Sequence, residues 1–194
     1  MKPFIYHSPV EIHFGQALLH ATMDALGRLV QRPGDVEASG DLLWAAAMVW
    51  GGLTKIGRGD PDMACHGIEE SFSGYFNTHH GACLAVLTPL WMASACGDAP
   101  EPFARFARNV MGVTASDDAR AAREGIERYR RWLSLVGAAG RFADFGNGVA
   151  FPDEGLQDVA RTALQTCGCL GRLRPMKSPD EVVALLRKGR DGSA

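Results

Sequence analysis

The stretch HGIEESFSGYFNTHHGACLAVL, residues 66–87, carries three histidines and two adjacent glutamates in an apolar setting. It reads as a helix from about Asp62 to Phe76, a tight turn at YFNTHHG, and a second helix from about His80 to Cys96. His66 and Glu70 stand four residues apart on the first helix, so they project from one face, with Glu69 turned toward a different one. Asn77 or Thr78 can cap the second helix, which places His80 in its first turn. Helix, turn and helix can then bring the imidazoles at 66 and 80 together. Two imidazoles alone make a weak site, because a stable one has three or four protein ligands and supporting hydrogen bonds. The residues by themselves leave two readings open, metal ligands or hydrogen-bonded polar side chains.

The chain around this stretch reads helical. ALLHATMDALGRLVQ (17–31) is a helix stopped by Pro33 and Gly34, and DLLWAAAMVWGGL (41–53) is apolar almost all round, the pattern of a helix buried on every side. Pro89 lies inside the helix that follows His80 and removes one backbone donor. Phe103, Phe106 and Val110 mark a further helix, Ala122, Ile126, Tyr129 and Leu133 another, and Leu156, Val159 and Ala163 a third. The last begins at SPDE, with Ser178 as N-cap, Pro179 at the first helical position and Glu181 closing a capping box. Only SPVEIHFG differs, since Val10, Ile12 and Phe14 alternate with Glu11 and His13, which predicts a short half-buried strand. The expected fold is a mainly α, multi-helix bundle preceded by one short N-terminal β-strand. The expected domains are 1–16 as strand or arm and 17–194 as the helical domain.

Composition narrows the classes. A chain of 194 residues, 46% apolar and 22% charged, suits a globular domain that buries its own core. The net charge of -2 argues against nucleic acid as partner, and the basic run ERYRR (127–131) reads as a solvated helix face. The N-terminus lacks a signal-like apolar core and no stretch predicts a membrane span. Five cysteines without framework spacing read as reduced thiols, so the expected location is cytoplasmic.

The segments LLWAAAMVWGGL, DMACHGIEESFSGYFNTHHGACLAVLTPLWM and YHSPVEIHFG together resemble the iron-containing (group III) alcohol dehydrogenase family, in its butanol dehydrogenase-like branch. The resemblance implies a helical domain like that of dehydroquinate synthase. The family's metal motif is a histidine, a second four residues on, and a third fourteen after the first, followed by glycine. His66 matches the first and His80, followed by Gly81, the third, which makes them the expected ligands of Fe(II) or Zn(II). Glu70 stands at the middle histidine and is the expected third ligand or catalytic base. The family's GGGS phosphate loop has no counterpart, and GRGD at 57–60 is no substitute, so NAD(P) binding is not expected of this chain alone. The initial strand is then read as a remnant of the nucleotide domain that pairs two copies as a homodimer. The expected function is a truncated alcohol dehydrogenase-like protein. The alternatives are an oxidoreductase completed by a partner chain with a nucleotide-binding domain, or a non-catalytic metal-binding or dimerising interaction module.

Overall fold

The computed structural model of the chain describes residues 8–56, 61–146 and 148–192. The helices are α1 (Pro9–Gln31), α2 (Val36–Trp50), α3 (Ala64–Phe76), α4 (His80–Ala95), α5 (Pro100–Asn109), α6 (Asp118–Leu135), α7 (Asp153–Cys167) and α8 (Pro179–Asp191). Short 3-10 turns lie at Leu53–Lys55 and Phe142–Phe145, and one antiparallel bridge joins Leu170 to Met176. Among the described residues there is no strand, and no helix is long and apolar enough to cross a membrane. Two compact units are present: residues up to Pro61 with Leu135–Gly137, and Asp62–Ser134 with Ala138 onward.

The expected N-terminal strand is replaced by helix, because residues 9–16 are the first turns of α1. SPVE repeats the start signal of SPDE. Ser8 has extended backbone angles, its Oγ accepts from the Val10 amide at 3.3 Å, Pro9 sits at the helix start and Glu11 lies in the first turn. Against that signal, three alternating apolar residues are too short a pattern to hold a strand without a partner. The covered positions Glu11, Gly15, Leu18, Thr22, Ala25 and Leu29 follow a helical repeat. No break falls at residue 16, while residues 1–7 of the expected arm and GRGD at 57–60 lie outside the described residues.

The first unit is a helical hairpin of α1 and α2. Asp35 caps α2 by accepting from the Ala38 amide at 2.9 Å, and Arg28 near the end of α1 reaches Asp35 and Asp41, each at 3.1 Å. Its buried residues are Ala25, Ala38 and Ala45. The expectation that α2 is buried on every side is therefore corrected: Leu43 is 72% exposed, Trp44 68% and Trp50 91%. Aliphatic content around a helix signals burial only when neighbours exist to cover it, and here α1 covers just the alanine row.

The second unit holds one continuous core. Ile68, Phe72 and Phe76 of α3 pack with Phe142 and Phe151, with Val86 and Leu87 of α4, with Leu156 and Val159 of α7, and with Val182 and Leu186 of α8. Asp62 anchors the start of α3 from two sides, because one carboxylate oxygen accepts from the Ala64 amide at 3.0 Å and the other from the Arg172 and Leu173 amides at 2.6 and 3.0 Å. The capping box at Ser178 forms as the sequence predicts, with Glu181 Oε2 accepting from the Ser178 amide at 3.1 Å. At the α5–α6 crossing Gly125 leaves no room for a side chain, since a Cβ there would stand 2.8 Å from Ala107 Cα. We expect Gly125→Val to destabilise the chain by about 1–3 kcal/mol through overpacking against backbone, read as a lower midpoint in urea unfolding, with Gly125→Ala falling between it and the wild type.

Candidate metal centre

Helix α3 ends at Asn77, which takes a left-handed conformation with φ 51°, and α4 starts three residues later at His80. The sequence placed Asn77 or Thr78 as cap of α4. Instead Asn77 terminates α3, a role that short polar side chains tolerate at positive φ, and His79 occupies the N-cap of α4 without a side-chain bond.

This turn sets His80 against α3. The ring centres of His66 and His80 lie 5.3 Å apart with planes inclined at 38°. Glu69 is the only buried charged residue among those described, with 0% exposure. Its Oε2 accepts from His80 Nδ1 and its Oε1 from Ser73 Oγ, and Ser73 Oγ in turn meets Thr78 Oγ1 at 3.3 Å. The His80 side chain remains 58% exposed. With Nδ1 turned to a carboxylate, Nε2 is the nitrogen left free. His66 Nδ1 is buried and has no hydrogen-bond partner.

Glu70 lies elsewhere on α3. It is exposed and lines a shallow depression of about 400 Å³ with Thr162 and Thr166 of α7. The carboxylate that meets the histidine pair is thus Glu69. A signal for it was present, since Glu69, Phe72 and Phe76 stand at i, i+3 and i+7 on the core stripe, and a glutamate in such a row needs a buried partner. Glu69 is also three residues from His66, as much a helical neighbour as Glu70.

The donor set can be tested against a metal. Two imidazoles on one tetrahedral ion, bonded at about 2.0–2.1 Å, put their ring centres roughly 5 Å apart, and the observed 5.3 Å fits. A carboxylate behind the far nitrogen of His80 fits as well, because metal-bound histidines commonly donate their other N–H to such a group. The count falls short: no group of three or more His, Cys, Asp or Glu side chains is placed to hold an ion among the described residues. Cys65 and Cys83 do not complete such a group, and burial raises both thiols, Cys65 to about 12.

The sequence profile of the Fe-containing alcohol dehydrogenase family, C-terminal, matches residues 12–189. This chain belongs to that family. Its N-terminal helix therefore lies inside the family's C-terminal part, which agrees with α1 and not with a first strand. NADH-dependent butanol dehydrogenase A of Clostridium acetobutylicum is 30% identical over 162 residues, covering 82% of this chain and 40% of the relative. A probable NADH-dependent butanol dehydrogenase of Bacillus subtilis is 25% identical over 186 residues, covering 94% of this chain and 46% of the relative. Among solved structures, NADH-dependent butanol dehydrogenase A of Thermotoga maritima superimposes with TM-score 0.83 at 27% identity, over 94% of this chain and 46% of the other. The chain thus spans less than half the length of these dehydrogenases.

Two outcomes follow for this iron-containing alcohol dehydrogenase segment. Replacing Glu69 by Ala leaves the Ser73 hydroxyl and His80 Nδ1 without their acceptor and should cost about 1–3 kcal/mol in urea unfolding, whereas Glu69→Gln keeps an acceptor oxygen and should lose less. In the native protein at pH 8, a thiol reagent should modify the exposed Cys167 and Cys169 quickly and spare Cys65 and Cys83 until unfolding.

Proposed function

We propose that this chain is the metal-carrying helical half of an iron-containing alcohol dehydrogenase, with His66 and His80 contributing two ligands to a divalent cation, Fe(II) or Zn(II). The observation that carries the reading is the convergence of the two imidazoles, one backed by a buried carboxylate. When bound, such a metal supplies Lewis-acid polarisation of an alcohol or aldehyde oxygen. His80 would hold it through Nε2 while Glu69 keeps the ring oriented, and His66 would present its ring from α3. Glu70, exposed on α3, remains a candidate base only if a substrate reaches its depression.

On this reading the chain alone does not transfer hydride. That step needs a nicotinamide held against the polarised carbonyl, and the present sequence has no glycine-rich phosphate loop. The chain purified without added metal should carry iron or zinc by elemental analysis, and His66→Ala or His80→Ala should remove it. Saturable micromolar binding of NADH or NADPH would overturn the claim of inactivity in isolation, and the absence of any metal in the wild type would overturn the ligand assignment.

A second reading, an oxidoreductase completed by a partner chain that supplies the nucleotide-binding domain, is favoured by α2. Val36, Leu43 and Trp50 recur every seven residues and are 82%, 72% and 91% exposed. A heptad-spaced apolar row of this kind is a helix-docking face. The homodimer expected from the sequence would have to use such helix packing, because residues 9–16 offer no strand to pair. Co-purification of a chain carrying a GGGS loop, lost in Leu43→Glu, supports the partner. A symmetric dimer in native mass spectrometry, dissociated by Leu43→Glu, supports self-association instead.

A further inference from the structure

A cavity of about 430 Å³ opens between α4, α6 and α8, and neither His66 nor His80 lines it. Three charged side chains line it: Arg130 of α6, Lys188 of α8 and Asp144. Asp144 is already committed, since it accepts from the Arg141 amide and guanidinium, each at 2.9 Å, and these bonds hold its carboxyl below the usual range. Arg130 and Lys188 make no ion pair with any described residue, so two cations line one space, Lys188 also bordering a second depression with Asp180 and Glu181. Arg130 Nη2 is buried and lacks an acceptor, so the guanidinium has to turn toward the cavity for that N–H to meet a bound oxygen. A guanidinium N–H taken out of water favours an oxygen that can accept from it, above all an anionic one.

The rest of the wall limits what that anion can be. Val86, Pro89, Leu90 and Leu133 supply the apolar part of the wall. Pro89 has no N–H to close on the carbonyl one helical turn earlier, so the backbone of Ala85, which also lines the cavity, lacks its usual helical donor. A bare inorganic ion would leave the apolar part uncovered, whereas a short organic acid would meet both the charged and the apolar part.

We propose that this cavity is a binding site for a small organic oxyanion, with Arg130 as its anchor, Lys188 as a second, more exposed contact and the α4 and α6 residues as a seat for a chain of a few carbons. The site is independent of the metal reading and stands or falls separately. Pentanoate, butyl phosphate, inorganic phosphate and 1-pentanol serve as probes at matched ionic strength in chloride, followed by backbone amide shifts in the full chain.

Pentanoate or butyl phosphate should give saturable shifts clustered at Leu133, Ser134, Gly140 and Lys188, and the stronger of the two identifies the head group. Inorganic phosphate and 1-pentanol should each bind at least tenfold more weakly, since each offers half of the ligand. Arg130→Met should weaken binding tenfold or more, Arg130→Lys less, and Lys188→Met the least. Circular dichroism verifies that each variant is folded, and if Arg130→Met is not, the ordering of Arg130→Lys and Lys188→Met against wild type decides. No saturable shift with either organic anion, or undiminished binding in Arg130→Met, overturns the proposal. Equal binding of inorganic phosphate overturns the apolar seat.

Discussion

The candidate centre depends on a buried carboxylate. Glu69 lies within the second unit's apolar interior, where an unpaired carboxylate would be costly. Its oxygens are met by Ser73 one turn along the same helix and by His80 at the start of the next. The contact therefore fixes the angle between α3 and α4, and it explains why an imidazole with more than half its side chain in solvent keeps a defined orientation. The Asn77 backbone geometry serves the same end, because a left-handed residue lets α4 begin within three residues of the end of α3.

Around that contact the molecule divides by kind of packing. The second unit is built on aromatic and branched side chains, with Phe72 and Phe151 in contact with each other and each with Phe76 and Phe142. The hairpin of α1 and α2 is built the other way round, with alanines as its fully buried residues and Leu43, Trp44 and Trp50 turned out. Family membership accounts for the fold of both.

Helices α3 to α8 were legible from period, punctuation and caps, most plainly at SPDE, where side chains and backbone agree on one start. The strand expected at SPVEIHFG does not form because three alternating apolar residues are outcompeted by a Ser-Pro-x-Glu helix start of the same kind as SPDE. The burial of α2 was not legible, since an apolar sequence states what a helix would like to cover and not what is present to cover it. At the site, the helix–turn–helix spacing allowed His66 and His80 to meet, and it was the family resemblance that singled them out. Spacing could not choose between Glu69 and Glu70, because both are helical neighbours of His66 and the choice is made by which of them α4 packs over.

The alanine row inside the hairpin has a bearing on how the chain comes apart. Methyl groups exclude little water and make few dispersion contacts, so the hairpin buries less apolar surface than the second unit does, and the exposed ion pairs of Arg28, which salt screens, add little to it. The two units need not melt together, and a single transition temperature would then describe neither. Amide protons of α1 and α2 would exchange before those of α3 and α8.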